Sequence, residues 1–338
     1  MSFRFWRRIR LAPGITLNLS KSTASLSLGP RGAKYTISPR GNRFTAGLPG
    51  TGLFYTLHDA GDGRRSRKPP VRKRDRLNLG FFQRLTTPAR ERSFVEGLRE
   101  LNEGRQQSAL AALERAAELP DAVWLAGILR LQQEDLVTAR RHLTRALEEL
   151  SDLGSLFAKY EVEVQASLPV TPEIVAHLRP GEEATRLALV EIAQSQGEQA
   201  EAMEHLERLL ELDSSDPVVL LSFAELALDY PEERALMERV LELTTGTVNE
   251  TPVDTAILYY RGRALMALGL ADAAIKVFTQ ANRRRKDRPK ALLHQIRYQR
   301  ALLYEQAGRR AQARREFERL YAEDPNFEDL RERLGLDG

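Results

Sequence analysis

Two periodicities divide the 338-residue chain. In residues 1–58 apolar and polar positions alternate. Ile15, Leu17 and Leu19 are separated by Thr16 and Asn18, and Ala24, Leu26 and Leu28 by Ser25 and Ser27. Period two marks strands with one face in water. Turn residues punctuate the alternation at Pro13-Gly14, Lys21-Ser22, 29–32, 39–42 and 49–52, as expected between short strands. The run PRGAKYT at 30–36 returns nine residues later as PRGNRFT at 39–45. A small antiparallel β-sheet domain over 1–58, a meander of five or six strands, is therefore predicted. A sheet of that size needs a partner for its face or its edges. Residues 59–85 carry no apolar period and contain Pro69-Pro70 within a dense basic run, which reads as a flexible cationic linker.

From residue 86 the pattern becomes helical and repeats. A turn residue stands five positions before an alanine in Gly104/Ala109, Glu134/Ala139, Gly197/Ala202, Gly269/Ala274 and Gly308/Ala313. Seven positions before the turn lie Gly97, Gly127, Val190, Gly262 and Ala301. Four after the alanine lie Leu113, Leu143, Leu206, Phe278 and Phe317. Small residues admit close approach of paired helices, and large ones fill the space between pairs. Position by position these segments resemble the tetratricopeptide repeat, which implies a mainly α solenoid of helical hairpins. The expectation is about six pairs over 86–338. The pair at 217–243 is degenerate, an irregular insert occupies 151–180, and the last residues form a capping helix.

The phrases FRFWRRIRLAPGITLNLSKS, the two PRG turns and GLPGTGLFYT span nearly all of residues 3–56. Together they resemble the bacterial domain-of-unknown-function family 4236. That resemblance implies a small β domain placed ahead of other modules and brings no activity or site residues.

Composition narrows the chemistry. There is no cysteine, which removes disulfides, thiolate metal sites and cysteine nucleophiles. No apolar run reaches the ~18 residues a membrane helix requires. The basic start MSFRFWRRIRL lacks an apolar run behind it, so a cytoplasmic protein is expected. The one G-x4-G segment, Gly47 to Gly52, is followed by Leu53-Phe54 where a phosphate loop requires Lys and Ser/Thr. The five histidines are scattered singly, and no G-x-S-x-G turn is present. No catalytic, cofactor or metal residues are assigned, and a non-enzymatic protein is expected.

Charge then separates the halves. Residues 1–76 hold 17 basic and 3 acidic groups, whereas the remainder holds 34 basic and 44 acidic ones. Arg4, Arg7 and Arg8 interleave with Phe3, Phe5 and Trp6. The linker adds Arg64, Arg65, Arg67, Lys68, Arg72, Lys73 and Arg74. Such a basic surface meets nucleic acid, an anionic lipid surface, an acidic protein or the acidic array itself, or is simply solvated. A second basic cluster stands at 283–286. In the tetratricopeptide register the first helix of each pair faces a groove. Its inner positions here are Trp124, Ile128, Tyr259, Arg263, Tyr298 and Leu302. These are candidate partner anchors, or core residues between neighbouring first helices. The function expected is a protein–protein interaction adaptor or scaffold, with a nucleic-acid- or anionic-surface-associated factor as the alternative. Self-association through free β edges is a further expectation.

Overall fold

The computed structural model describes residues 87–336, apart from 103, 161, 172 and 173, together with the backbone of four strands before them. It divides into two compact units, residues 1–205 and 206–338. In the first, α1 (Ala89–Asn102) packs on α2 (Gln106–Glu114), and α3 (Pro120–Gln132) on α4 (Leu136–Glu148). A short α5 (Ser155–Lys159) and strands β5 (Glu163–Pro169) and β6 (Val175–Leu178) follow, before α6 (Glu182–Gln196) and the start of α7 (Gln199–Leu212). The second unit contains α8 (Pro217–Ala227) and α9 (Arg234–Leu243), α10 (Pro252–Ala267) and α11 (Ala271–Ala281), and α12 (Lys290–Gln306) and α13 (Arg310–Glu323). The closing helix α14 (Leu330–Leu334) packs on α13.

The turns explain why the helices pair at these points. Gly104, Gly197, Gly269 and Gly308 all have φ between 72° and 78°, and Glu134 has φ 61°. The chain thus reverses at each of the five aligned turn positions through a left-handed residue, which closes a helix C-terminus without steric cost when it is glycine. The residue pairs aligned in the repeat meet in space. A Cβ placed on Gly97 would lie 2.7 Å from Leu113 Cγ, one on Gly127 2.8 Å from Leu143 Cγ, and one on Gly262 2.5 Å from the Phe278 ring. The alanines Ala109, Ala139, Ala202, Ala274 and Ala313 are all buried. Close approach at a hydrogen atom on one helix, with a large side chain seated on it from the other, is the local unit of this fold. Asp216 and the Thr251–Asp254 capping box begin α8 and α10, each followed by a proline that suits the first helical turn.

The β elements depart from the sequence expectation. Within 1–58 four strands are described, and they do not form one sheet. Strands β2 (Ala33–Thr36), β3 (Arg43–Gly47) and β4 (Phe54–His58) make an antiparallel meander. The segment containing the alternation Ala24, Leu26, Leu28, and the linker at 59–85, lie outside the described residues. Strand β1 (Gly14–Asn18) instead pairs antiparallel with β5 of the insert, Gly14 opposite Ser167 and Asn18 opposite Glu163. The insert thus holds a hairpin, β5 with β6, whose order is completed as β1-β5-β6. An edge strand leaves its N–H and C=O groups unpaired, and β1 supplies partners for one side of β5. Val164, Ala166 and Leu168 of β5 and Ala176 and Leu178 of β6 are buried, every second residue of each strand, and Gln165 between two of them is buried as well.

Two stability outcomes follow from the turn and interlock geometry. Gly262→Leu should overpack against the buried Phe278 ring and cost about 1–3 kcal/mol, read as a lowered urea midpoint. Glu134→Gly should instead stabilise the chain by about 1 kcal/mol, because a left-handed residue other than glycine bears a strain of that order.

Candidate interaction surface

The face expected to receive a partner in the first unit is occupied by the insert. Glu91 and Phe94 on α1 and Asp121 and Trp124 on α3 all contact it. Trp124 is fully buried; its indole Nε1 donates to Thr185 Oγ1 at 3.0 Å, and that hydroxyl donates to the Gly181 carbonyl at 2.6 Å. Phe157 of α5 lies 5.5 Å from the Phe94 ring and 6.3 Å, edge-on, from Trp124. Tyr160 lies 6.4 Å from Phe94 and donates through its hydroxyl to Glu91 Oε1 at 2.7 Å. Lys159 pairs with the same carboxylate. Burial raises the Glu91 carboxyl, but the bonds from Lys159 and Tyr160 outweigh it and hold the group below its ordinary value. The same contact, after burial, pushes the Tyr160 hydroxyl far up.

Asp121 anchors the insert at its start. Its side chain is completely buried and accepts from the backbone N–H groups of Gly154 at 2.5 Å, Leu156 at 2.6 Å and Phe157 at 3.4 Å. A carboxylate from one helix thus satisfies the open N-terminus of another that has no cap of its own. Burial raises the Asp121 carboxyl above its ordinary value, with the three N–H bonds opposing it. Local sequence carries little sign of this. Asp121 follows Pro120 at a helix start, where an acid is commonplace, and its partners lie more than thirty residues on.

In the second unit the end of the chain plays a comparable part. The Tyr298 hydroxyl donates to Asp329 Oδ1 at 2.6 Å, and its ring lies 6.1 Å from Phe317 and 5.8 Å from Phe327. Burial and Asp329 push that hydroxyl far up. Leu302, half-buried, packs on the same cluster with Leu330 and Leu334. Beside it His294 meets Glu323 at 3.0 Å, Arg297 bonds Glu323 at 2.7 Å, and Glu316 lies 3.2 Å from Arg300, a largely buried ionic seam between α12 and α13. Tyr259 is buried, 5.1 Å from Tyr260 and 6.2 Å from Phe278, with the Arg263 guanidinium 6.0 Å from its ring centre.

Of the six residues assigned to a groove, Trp124, Ile128, Tyr259 and Tyr298 are therefore buried within the array, and Arg263 and Leu302 are half-buried. The physical reason is that large amphipathic rings on first helices are covered here by the chain's own segments, the insert for Trp124 and residues 324–334 for Tyr298. The basic residues Arg4, Arg7, Arg8, Arg64, Arg65, Arg67, Lys68, Arg72, Lys73 and Arg74 lie outside the described residues. Among the described residues no cluster of three or more His, Asp and Glu is placed to hold a metal, and no helix is long and apolar enough to cross a membrane.

Consecutive helix pairs, left-handed turns and small-on-large interlocks define a helical repeat protein of the tetratricopeptide type. Residues 95–334, more than two thirds of the chain, match the family described as the N-terminal domain of the type VII secretion (ESX-1) protein EccA1, and the chain belongs to that family. Residues 3–56 match the protein family of unknown function DUF4236. Among solved structures, the chain is 18% identical to the N-terminal domain of the EccA1 ATPase of the Mycobacterium tuberculosis ESX-1 system, over 73% of this chain and 88% of that one, with a TM-score of 0.49. YrrB, a tetratricopeptide protein with an unusual peptide-binding site, is 14% identical over 74% and 95%, with a TM-score of 0.33. The TPR2AB domain of yeast Sti1, in complex with pHSP90, is 14% identical over 72% and 95%, with a TM-score of 0.25. No curated protein matches the chain.

Because Asp121 alone accepts three N–H groups of the insert, Asp121→Ala should leave them unsatisfied and cost about 1–3 kcal/mol. The check is chemical unfolding, with faster amide exchange at 154–157 as the local signature.

Proposed function

We propose that the chain is a non-enzymatic, cytoplasmic protein-interaction adaptor. Its repeat array over 86–338 recognises polypeptide; ahead of the cationic linker 59–85, strands β2 to β4 form an accessory β meander, while β1 joins the sheet of the insert. The observation that carries this reading is the use the array already makes of its first-helix faces. The α1, α3 and α6 face holds the insert through an aromatic box, a shared carboxylate and an acid set against backbone N–H groups. Helix α12 holds residues 324–334 through Tyr298 and a ring cluster. Those are contacts by which a helical repeat grips a peptide: anchored aromatics for area, and polar groups aimed at main chain for register. Family membership supports the same class. Its description concerns a secretion-system protein, and the partner class this favours is a component or client of an export apparatus. The only G-x4-G in this sequence lacks the phosphate-loop lysine.

The test is affinity capture with the full-length tagged chain from native lysate, split into nuclease-treated and untreated halves. A discrete protein, recovered at constant stoichiometry after nuclease, is the expected outcome. Recovery of nuclease-sensitive material alone would overturn the adaptor reading and assign binding to the basic residues 1–76.

A further inference from the structure

Two loops of the second unit are bonded into one surface. The loop between α9 and α10 and the loop between α11 and α12 lie at the same end of the α10–α11 hairpin. Asn249, buried between them, donates from Nδ2 to the carbonyls of Gln280 at 3.0 Å and Ala281 at 2.9 Å, and accepts from Thr255 Oγ1 at 2.6 Å. Gln280 Nε2 donates to the Thr247 carbonyl at 3.2 Å. Arg288 donates to Thr255 Oγ1 at 2.6 Å and to the Glu250 carbonyl at 2.7 Å. Arg284 approaches that carbonyl at 3.5 Å.

What this rigid pair presents is unlike the rest of its unit. Val248, at the tip of the first loop, is 63% exposed. Arg283, Arg284, Arg285 and Lys286 on the second are all exposed, and none of them meets a carboxylate in an ion pair among the described residues. Many arginines elsewhere in the unit meet acids, as Arg239 meets Glu207 and Glu242, Arg297 meets Glu316 and Glu323, and Arg333 meets Asp329 and Glu305. Residues 283–290 contain six basic residues and one acid, whereas the rest of 206–338 contains 15 basic and 22 acidic residues. The loop is thus a small cationic island in an acidic field, with an apolar side chain on the loop bonded to it.

We propose that this surface docks a short acidic segment of a polypeptide partner, with an apolar residue among its carboxylates to cover Val248. The inference rests on the adaptor reading and names a site for it outside the occupied first-helix faces. Guanidinium groups bond carboxylates in pairs, and the backbone-anchored loop limits the ordering cost of binding. A polynucleotide is the poorer fit. It requires a continuous basic track, and here the acidic remainder of the unit would repel phosphates on either side of the island.

The test uses the full-length protein and a fluorescein-labelled twelve-residue peptide of Glu and Asp with a central leucine pair. An amidated Gln/Asn version and an oligodeoxythymidine of equal charge serve as comparators. Residues 1–76 are present throughout, so the readout is the difference between the native chain and R284E/R285E/K286E, whose altered side chains are exposed. The expected result is a tenfold or greater loss of peptide affinity in that variant and about a threefold loss in V248S. Slower amide exchange at 246–250 and 283–290 with peptide bound should accompany the native binding. Should the triple variant have a lowered Tm, R284Q/R285Q is measured in its place, with the same direction of loss expected. Equal peptide affinity in native and variant chains, or protection confined to other segments, would overturn the proposal. So would tighter binding of the oligonucleotide that is lost in the same variant. A captured protein partner retained by the triple variant overturns the loop assignment while leaving the adaptor reading intact. Absence of any nuclease-resistant partner would count against the adaptor reading itself, with the peptide measurement still deciding the loop.

Discussion

The close approach of paired helices at Gly97, Gly127 and Gly262 is the constraint on which the remaining architecture rests. Each glycine leaves room for one large side chain, Leu113, Leu143 or Phe278, to lie where its own Cβ would have been. Helix backbones that near each other bury their facing stripes almost completely, and the stability of such an array is the sum of these interlocks and of the interfaces between neighbouring pairs. The left-handed turns serve the same end. They return the chain at the short distance that the interlock demands, and even Glu134 is held in that conformation.

A repeat array built this way exposes the aromatic residues of its first helices unless something covers them. In the first unit the insert does so, attached by polar bonds to main chain and to side chains together with aromatic contacts. Asp121 satisfies the N-terminus of α5, and Glu91 receives Lys159 and Tyr160, while Phe157 closes the aromatic contacts. A buried acid facing three N–H groups is strongly directional, so it sets the position of the insert as well as retaining it. In the second unit residues 324–334 cover Tyr298 and Phe317, again with a hydroxyl-to-carboxylate bond at the centre of a ring cluster. In both units the aromatic residues of first helices are thus packed by other segments of the same chain.

With those faces covered, exposed cations and an exposed valine remain at the loop edge of the second unit. Asn249, Gln280 and Arg288 tie the two loops there to each other, so the cations of 283–286 and the side chain of Val248 are displayed from a fixed backbone. Charges left without carboxylate partners on an otherwise acidic surface keep their full attraction for an incoming anion, since no internal pair must first be broken.

The repeat register was legible in the sequence, because it depends on local requirements. A turn residue, a small residue and a large residue recur at fixed offsets, and each offset reflects helix geometry that neighbouring residues enforce. The alternation in Gly14–Asn18 likewise marked a strand, and the zone 151–180 was visible as a break in the pattern. Its contents were not read. Nor was the partner of β1 legible, since strand pairing joins residues about 150 positions apart with nothing local to specify the match. The same holds for Trp124, Tyr259 and Tyr298. Sequence placed them on first helices, and that assignment stands. Whether a first-helix face is open or filled depends on which distant segment packs there, and only the tertiary structure decided that. Burial is a property of the assembled neighbourhood, whereas helical pairing is a property of spacing along the chain.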